Sequence, residues 1–133
     1  MAKRVLVVND VRTFQPCEGL ELVHVRTVKD AQRALGDVGQ EPTGKSEHFD
    51  ELWLDYHLEW NHLKPHEENF HSGARLARWL RVEELQHMVV RVVSDLDDYY
   101  IRKITDSLDD AGYTYTLNPD GEGLPTPYVR TYS

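Results

Sequence analysis

Val5-Leu6-Val7-Val8, followed at once by Asn9-Asp10, is the stretch on which the reading of the fold turns. Four apolar residues in a row, three of them β-branched, suit a strand buried on both faces, as in a parallel sheet with other layers above and below it. The strand then ends in a carboxamide and a carboxylate. That end is where an open parallel sheet collects its ligand-binding groups.

The same design recurs along the chain. Arg4 to Val8, Leu20 to Val25, Glu51 to Leu54 and Met88 to Val93 read as buried strands. Tyr113 to Leu117 alternates Tyr-Thr-Tyr-Thr and reads as an edge or half-exposed fifth strand. Three helices are predicted between them. The first follows Thr27, which with Asp30 makes an approximate capping box, and stops at Gly36. The second opens at Ser72-Gly73 and gathers Leu76, Trp79 and Leu80 on one face. The third runs from about Asp97 to Ala111, with Ile101, Ile104, Leu108 and Ala111 in one stripe before Gly112.

This order predicts an α/β fold: a five-stranded, mostly parallel sheet covered on both faces and flanked by about three helices. Residues 10–19 are too few for a helical crossover and include Pro16 and Gly19, so a loop is expected in place of the first crossover helix. Residues 39–48 read as a polar surface loop. Residues 1–117 form the expected α/β domain; residues 118–133, with three prolines and two glycines, are expected to be an irregular tail.

Composition narrows the functional classes. A chain of 133 residues with 40% hydrophobic and 29% charged residues fits one globular domain. Its formal charge of −8, from 15 basic and 23 acidic residues, argues against coating duplex nucleic acid. No run approaches the roughly 18 apolar residues of a membrane span. The apolar run after Lys3-Arg4 is too short for a signal peptide, so a cytoplasmic protein is expected. Cys17 is the single cysteine, which rules out an internal disulfide and argues against a thiolate zinc site.

The candidate chemistry lies just beyond the strands. Asn9 and Asp10 follow the first, Asp55, Tyr56 and His57 the third, Ser94 and Asp95 the fourth, and Asn118 and Pro119 the fifth. Three strands thus bring carboxylates toward one rim, and gathered carboxylates repel unless a cation joins them. Oxygen donors without thiolates suit a hard ion such as Mg²⁺ or Mn²⁺, with Asp10, Asp55 and Asn9 as the candidate ligands. Asp95 and Asp97 read equally well as helix caps. His57, His62, His66 and His71 crowd the segment 56–72, at spacings that match no metal signature, and Pro65 breaks any helix there. A polar loop is the simpler reading, with His57 the exception because it stands two residues after Asp55. Arg12 either grips a phosphate bidentately or pairs with Asp10 or Glu18. Trp53, Trp60 and Trp79 read as core or loop packing; Trp60 is the one placed to face a ligand.

These residues resemble the receiver domains of response regulators. In such domains the first strand ends in an acidic pair, the third in a phosphate-accepting aspartate and the fourth in Ser or Thr. The matching positions here are Asn9-Asp10, Asp55 and Ser94. Asn118-Pro119 stands where receivers carry Lys-Pro. The chain is more closely similar to the divergent cyclic-phosphate processing receiver-like domains. The likeness rests on Asn9-Asp10-Val11-Arg12 with Pro16 downstream, Val25-Arg26-Thr27, Leu54-Asp55-Tyr56-His57-Leu58, Ser72-Gly73 and Trp79, in that order over about residues 3–117. Asn9 and His57 stand where that group has aspartates, and of its His-Ser-x-Asn only Ser94 is kept.

The resemblance implies two functional classes. One is a binding or regulatory module with a degenerate acidic site, acting on a protein partner or a phosphate-containing small molecule. The other is a metal-dependent phosphoesterase that processes cyclic phosphates, with Asp10 and Asp55 on the ion, Asp55 or His57 as nucleophile or base, and Arg12 and Ser94 on the phosphate. A phosphoacceptor role for Asp55 is a third, weaker reading. Neither duplex nucleic acid nor a membrane is expected as a partner.

Overall fold

Val5 to Val8 are almost fully buried because their strand, β1 (Lys3–Val8), lies inside a sheet and has neighbours on both sides. The computed structural model describes residues 3–9, 12–36, 49–55, 73–81, 85–93, 98–118, 123–125 and 128–130. Within them β1 pairs in parallel with β3 (Leu20–Val25) on one side and β4 (Glu51–Leu54) on the other. Beyond β4 come β5 (Val89–Val92) and β6 (Thr114–Leu117), each again parallel. The five-stranded sheet has the order β3-β1-β4-β5-β6 and is parallel throughout. The chain therefore has a receiver-like, flavodoxin-like α/β fold.

The connections between these strands supply the helices. α1 (Val28–Leu35) begins where Thr27, in an extended conformation, accepts a hydrogen bond from the Asp30 backbone N–H at 3.0 Å. Such a cap contributes about 1 kcal/mol. Gly36 ends the helix at φ 90°, a left-handed geometry that carries little cost without a Cβ. α2 (Gly73–Leu80) and α3 (Asp98–Ala111) follow β4 and β5. The Tyr113 hydroxyl donates to Leu80 O at 2.8 Å and accepts from Leu85 N at 3.3 Å, so the end of α2 is tied to the entry into β6.

The pleat sorts the core into two unequal clusters. Leu6, Val8, Leu52, Leu54, Val90 and Val92 point to one face and meet Ala31 and Leu35 of α1, Leu76 and Leu80 of α2, and Ile104 and Leu108 of α3. All three helices lie side by side on this face, with α2 contacting both neighbours. Burying each such Leu or Ile contributes about 2 kcal/mol.

The opposite face is covered as well, and among the described residues it is covered by a short ribbon. A two-stranded antiparallel sheet joins β2 (Arg12–Phe14) to β7 (Tyr128–Arg130). Phe14 and the partly buried Leu124 pack on Val5, Val7, Trp53 and Val93. Residues 10–19 hold no helix among those described, as expected, but contain a short strand. Residues 118–133, expected to be irregular, contain the strand β7. Both were missed because three-residue strands carry too little periodicity to register in a sequence. No helix among the described residues is long and apolar enough to cross a membrane.

Candidate functional site

The strand order reverses between β1 and β4. From β1 the chain moves outward to β3, then crosses back to β4 and continues to β5 and β6. Open α/β sheets bind ligands in the crevice at such a switch point, beyond the carboxyl ends of the strands.

Asn9 and Asp55 stand at that place. The paired residues of β1 and β4 end with Val8 beside Leu54, and the ladder runs one step further: the Asp55 N–H donates to Val8 O at 3.1 Å. On the outer side the Asn9 N–H donates to Val25 O, also at 3.1 Å. The next strands extend the row, with Val93 N donating to Leu54 O at 2.8 Å and Asn118 N donating to Val92 O at 2.9 Å. Asn9, Asp55, Val93 and Asn118 therefore follow one another across the rim, one strand spacing of about 4.8 Å apart.

Each of these residues is buried, with Asn9 and Asp55 at 5% exposure and Asn118 at 7%. Polar side chains are that enclosed only when they are hydrogen-bonded or serve a ligand. Asn118 is held locally: the Thr116 hydroxyl donates to its Oδ1 at 2.7 Å. Its Nδ2 lies against Gly123, where an added Cβ would meet it at 3.0 Å. The row thus contains one carboxylate between two carboxamides, and the carboxamide farthest along is locked in the framework.

Of the residues expected at this site, Asn9 and Asp55 are brought together. Arg12 lies on β2, three residues past Asn9, and its register partner on β7 is Arg130. Asp10, His57 and Ser94 lie outside the described residues, as do the rest of the histidine-rich segment 56–72, Asp95 and Asp97. Trp53 is a core residue at 1% exposure, and Trp79 packs partly buried against the helical core.

A second polar group, missed from the sequence, occupies the other end of β4. Glu51 is buried, and its Oε1 accepts from Arg91 Nε at 2.7 Å and Trp53 Nε1 at 2.9 Å, while Oε2 accepts from Lys3 Nζ at 2.9 Å. Burial by itself would raise the Glu51 pKa, but the hydrogen bonds from Arg91, Trp53 and Lys3 outweigh it and lower the pKa to about 2. Glu51 lies four residues from Asp55 and at the opposite end of the strand, so this cluster braces the sheet rather than the rim. The signal available was a Glu opening an apolar strand, which reads equally as solvent-exposed.

On the edge strand β3, His24 accepts a hydrogen bond at Nε2 from the Phe14 backbone N–H, 3.1 Å away. The acceptor must be the neutral imidazole, and burial lowers the His24 pKa in the same direction. His24, Val7, Trp53, Arg91 and Thr116 form one cross-strand row, and Phe14 of β2 meets it at His24 and Trp53.

A parallel sheet in this order, with buried polar residues at its switch point, defines an α/β protein of receiver-like architecture. No protein-family model, curated protein or solved structure matches the chain.

Proposed function

We propose that the chain is a receiver-like binding or regulatory module whose rim recognises a partner without turning it over. The observation that carries this reading is Asn118. It occupies the rim position where the resemblance to receiver domains calls for a lysine, yet it is neutral, buried and hydrogen-bonded to Thr116. A residue held this way supplies no positive charge to a phosphoryl group. Asn9 likewise places a carboxamide beside Asp55 where receivers gather acids. Among the described residues the rim offers one carboxylate between amides, which suits recognition through hydrogen bonds more than acid–base or phosphoryl chemistry.

A second reading is favoured by Asp55 itself, a buried carboxylate at the switch point. In that reading the chain is a metal-dependent phosphoesterase. Asp55 would contribute the charge that holds Mg²⁺ or Mn²⁺, Asn9 a neutral oxygen, and Asp10, next in the chain, a second carboxylate. Hard cations accept such a mixed oxygen set but hold it more weakly than several carboxylates. The ion's contribution would be to polarise a phosphate oxygen.

One assay separates the two. The chain is incubated with Mg²⁺ or Mn²⁺ and with 2′,3′-cyclic phosphates and other phosphate esters, and released product is measured. The module reading expects no turnover above buffer. Hydrolysis by the wild type that disappears in Asp55→Ala would establish the enzyme instead.

A further inference from the structure

We propose that two copies of this chain associate through β6, pairing edge to edge about a two-fold axis that also sets their α3 helices antiparallel. The inference goes beyond the rim and does not draw on it.

β6 ends the sheet, and among the described residues nothing pairs with its outer side. Asn118 N donates inward to Val92 O, so by alternation the backbone groups of Tyr115 and Leu117 point outward. Open edges are normally blunted by lysine, proline or a bulge. Thr114-Tyr115-Thr116-Leu117 carries neither charge nor proline. Leu117 is also 55% exposed, although large hydrophobic side chains are otherwise enclosed here, Tyr99 apart, among the described residues.

One register satisfies these groups together. With Thr116 opposite Thr116 of the second copy, the outward groups of Tyr115 and Leu117 meet those of Leu117 and Tyr115 across the axis. Directly opposite residues share a face, and Tyr115 packs on the helical core. Each Leu117 therefore lies beside a Tyr115 of the other copy and is covered.

α3 supplies a second self-complementary pair. As the crossover from β5 to β6, it lies over those strands and contacts β6. The Tyr115 hydroxyl donates to Asp109 Oδ2 at 3.0 Å, so the flank of α3 bearing Asp109 is the one toward β6. Arg102 stands seven residues earlier, two turns along the same stripe. It is exposed and has no charged partner among the described residues. A new strand spacing of about 4.8 Å sets the two α3 helices roughly 10 Å apart, an ordinary packing distance. Running antiparallel, Arg102 of each copy meets Asp109 of the other, as an isologous contact requires. Tyr115, beside the pivot at Thr116, reaches both Asp109 and Thr105, so strand and helix share one axis.

The remaining charges are accounted for. Asp110 pairs with Arg81 at the end of α2, and Lys103 lies over the Tyr99 ring. Asp106, near the axis, and the net charge of −8 on each copy oppose the contact. Backbone pairing and the burial of Leu117 must outweigh them.

The test is sedimentation of the full chain from about 1 μM to about 1 mM at roughly 0.15 M salt, where distant charges are screened. The mass is expected to rise from 15.5 kDa toward twice that value. The Tyr115 and Leu117 amides should gain hydrogen-exchange protection with concentration. Leu117→Lys, at an exposed position, should weaken association at least ~10-fold. Arg102→Asp and Asp109→Arg should each weaken it, and mixing the two variants should restore a one-to-one dimer. Should Asp109→Arg not fold, Leu117→Lys and the wild-type exchange data decide.

A mass of one copy at every concentration, or a mass rising past two copies, overturns the proposal. So does a dimer that survives Leu117→Lys unchanged, or one in which the Tyr115 and Leu117 amides stay unprotected.

Discussion

The Phe14 ring meets Trp53 edge-on, with centroids 5.0 Å apart and planes at 78°, and this contact seats the β2–β7 ribbon on the sheet. Both rings are nearly inaccessible, at 2% and 1% exposure. The arrangement places the positive edge of one ring against the electron-rich face of the other, worth about 1 kcal/mol beyond burial. Phe14 thereby helps to cover the face opposite the three described helices.

Phe14→Ala should cost about 3 kcal/mol, the transfer loss plus the cavity left over Trp53. Urea unfolding would measure it. Hydrogen exchange should show the loss concentrated in β2 and β7, with β4 and β5 still protected. A uniform loss over all strands would contradict the picture of a separately seated ribbon.

Glu51 links stability to acid. Its folded pKa of about 2 lies below the ordinary value of 4.5, so its contribution is complete above 4.5 and is lost as the pH falls from there toward about 2. Glu51→Gln should cost about 2 kcal/mol at neutral pH, because Lys3 and Arg91 lose their shared acceptor charge. Urea midpoints followed against pH should also show a shallower acid limb in the variant.

His24 sets a second dependence at higher pH. Because the folded pKa is lowered, the folded state holds fewer protons than the unfolded one as the pH drops below the free value of about 6.5. Its contribution is present above that value and is lost below it, as protonation removes the acceptor at Nε2 that the Phe14 N–H uses. An NMR titration should place the His24 midpoint below about 6.5. His24→Gln should reduce the difference in Tm between about pH 7.5 and about pH 5.5; an unchanged difference would show that other groups carry it.

Gly123→Ala should destabilise by about 2 kcal/mol. Gly123 sits at φ +84, which strains any side chain, and the new methyl would press on Asn118 Nδ2. Gly36→Ala is the control: φ is +90 there as well, but the space around it is open, so only the conformational cost of about 1 kcal/mol is expected. Equal losses in the two variants, measured by thermal melting, would mean that the turn at Gly123 yields without disturbing the rim.

The strands and helices were legible in the sequence where burial imposes a period. The strand from Leu20 to Val25 and the strand from Glu51 to Leu54 were read with their observed limits, because apolar runs mark strands buried inside a parallel sheet. The first helix was legible from Thr27 and Gly36 together, since a side-chain cap and a left-handed stop are local chemistry. At the site, the sequence placed Asn9, Asp10 and Asp55 at one rim with Asp10 beside Asp55; Asn9 and Asp55 do follow their strands side by side, while Asp10 lies outside the described residues.

The sequence by itself determined which residues form the parallel sheet and which end of it gathers polar groups, because strand burial and helix capping act over a few neighbouring residues. Only the tertiary structure decided that the helices share one face, that Phe14 and Leu124 cover the other, that Glu51 meets Lys3 and Arg91, and that Arg12 falls opposite Arg130 in the β2–β7 register. Those contacts join positions far apart in the chain, and they depend on register and crossover direction. Both are settled by the packing of the whole sheet, which no local pattern encodes.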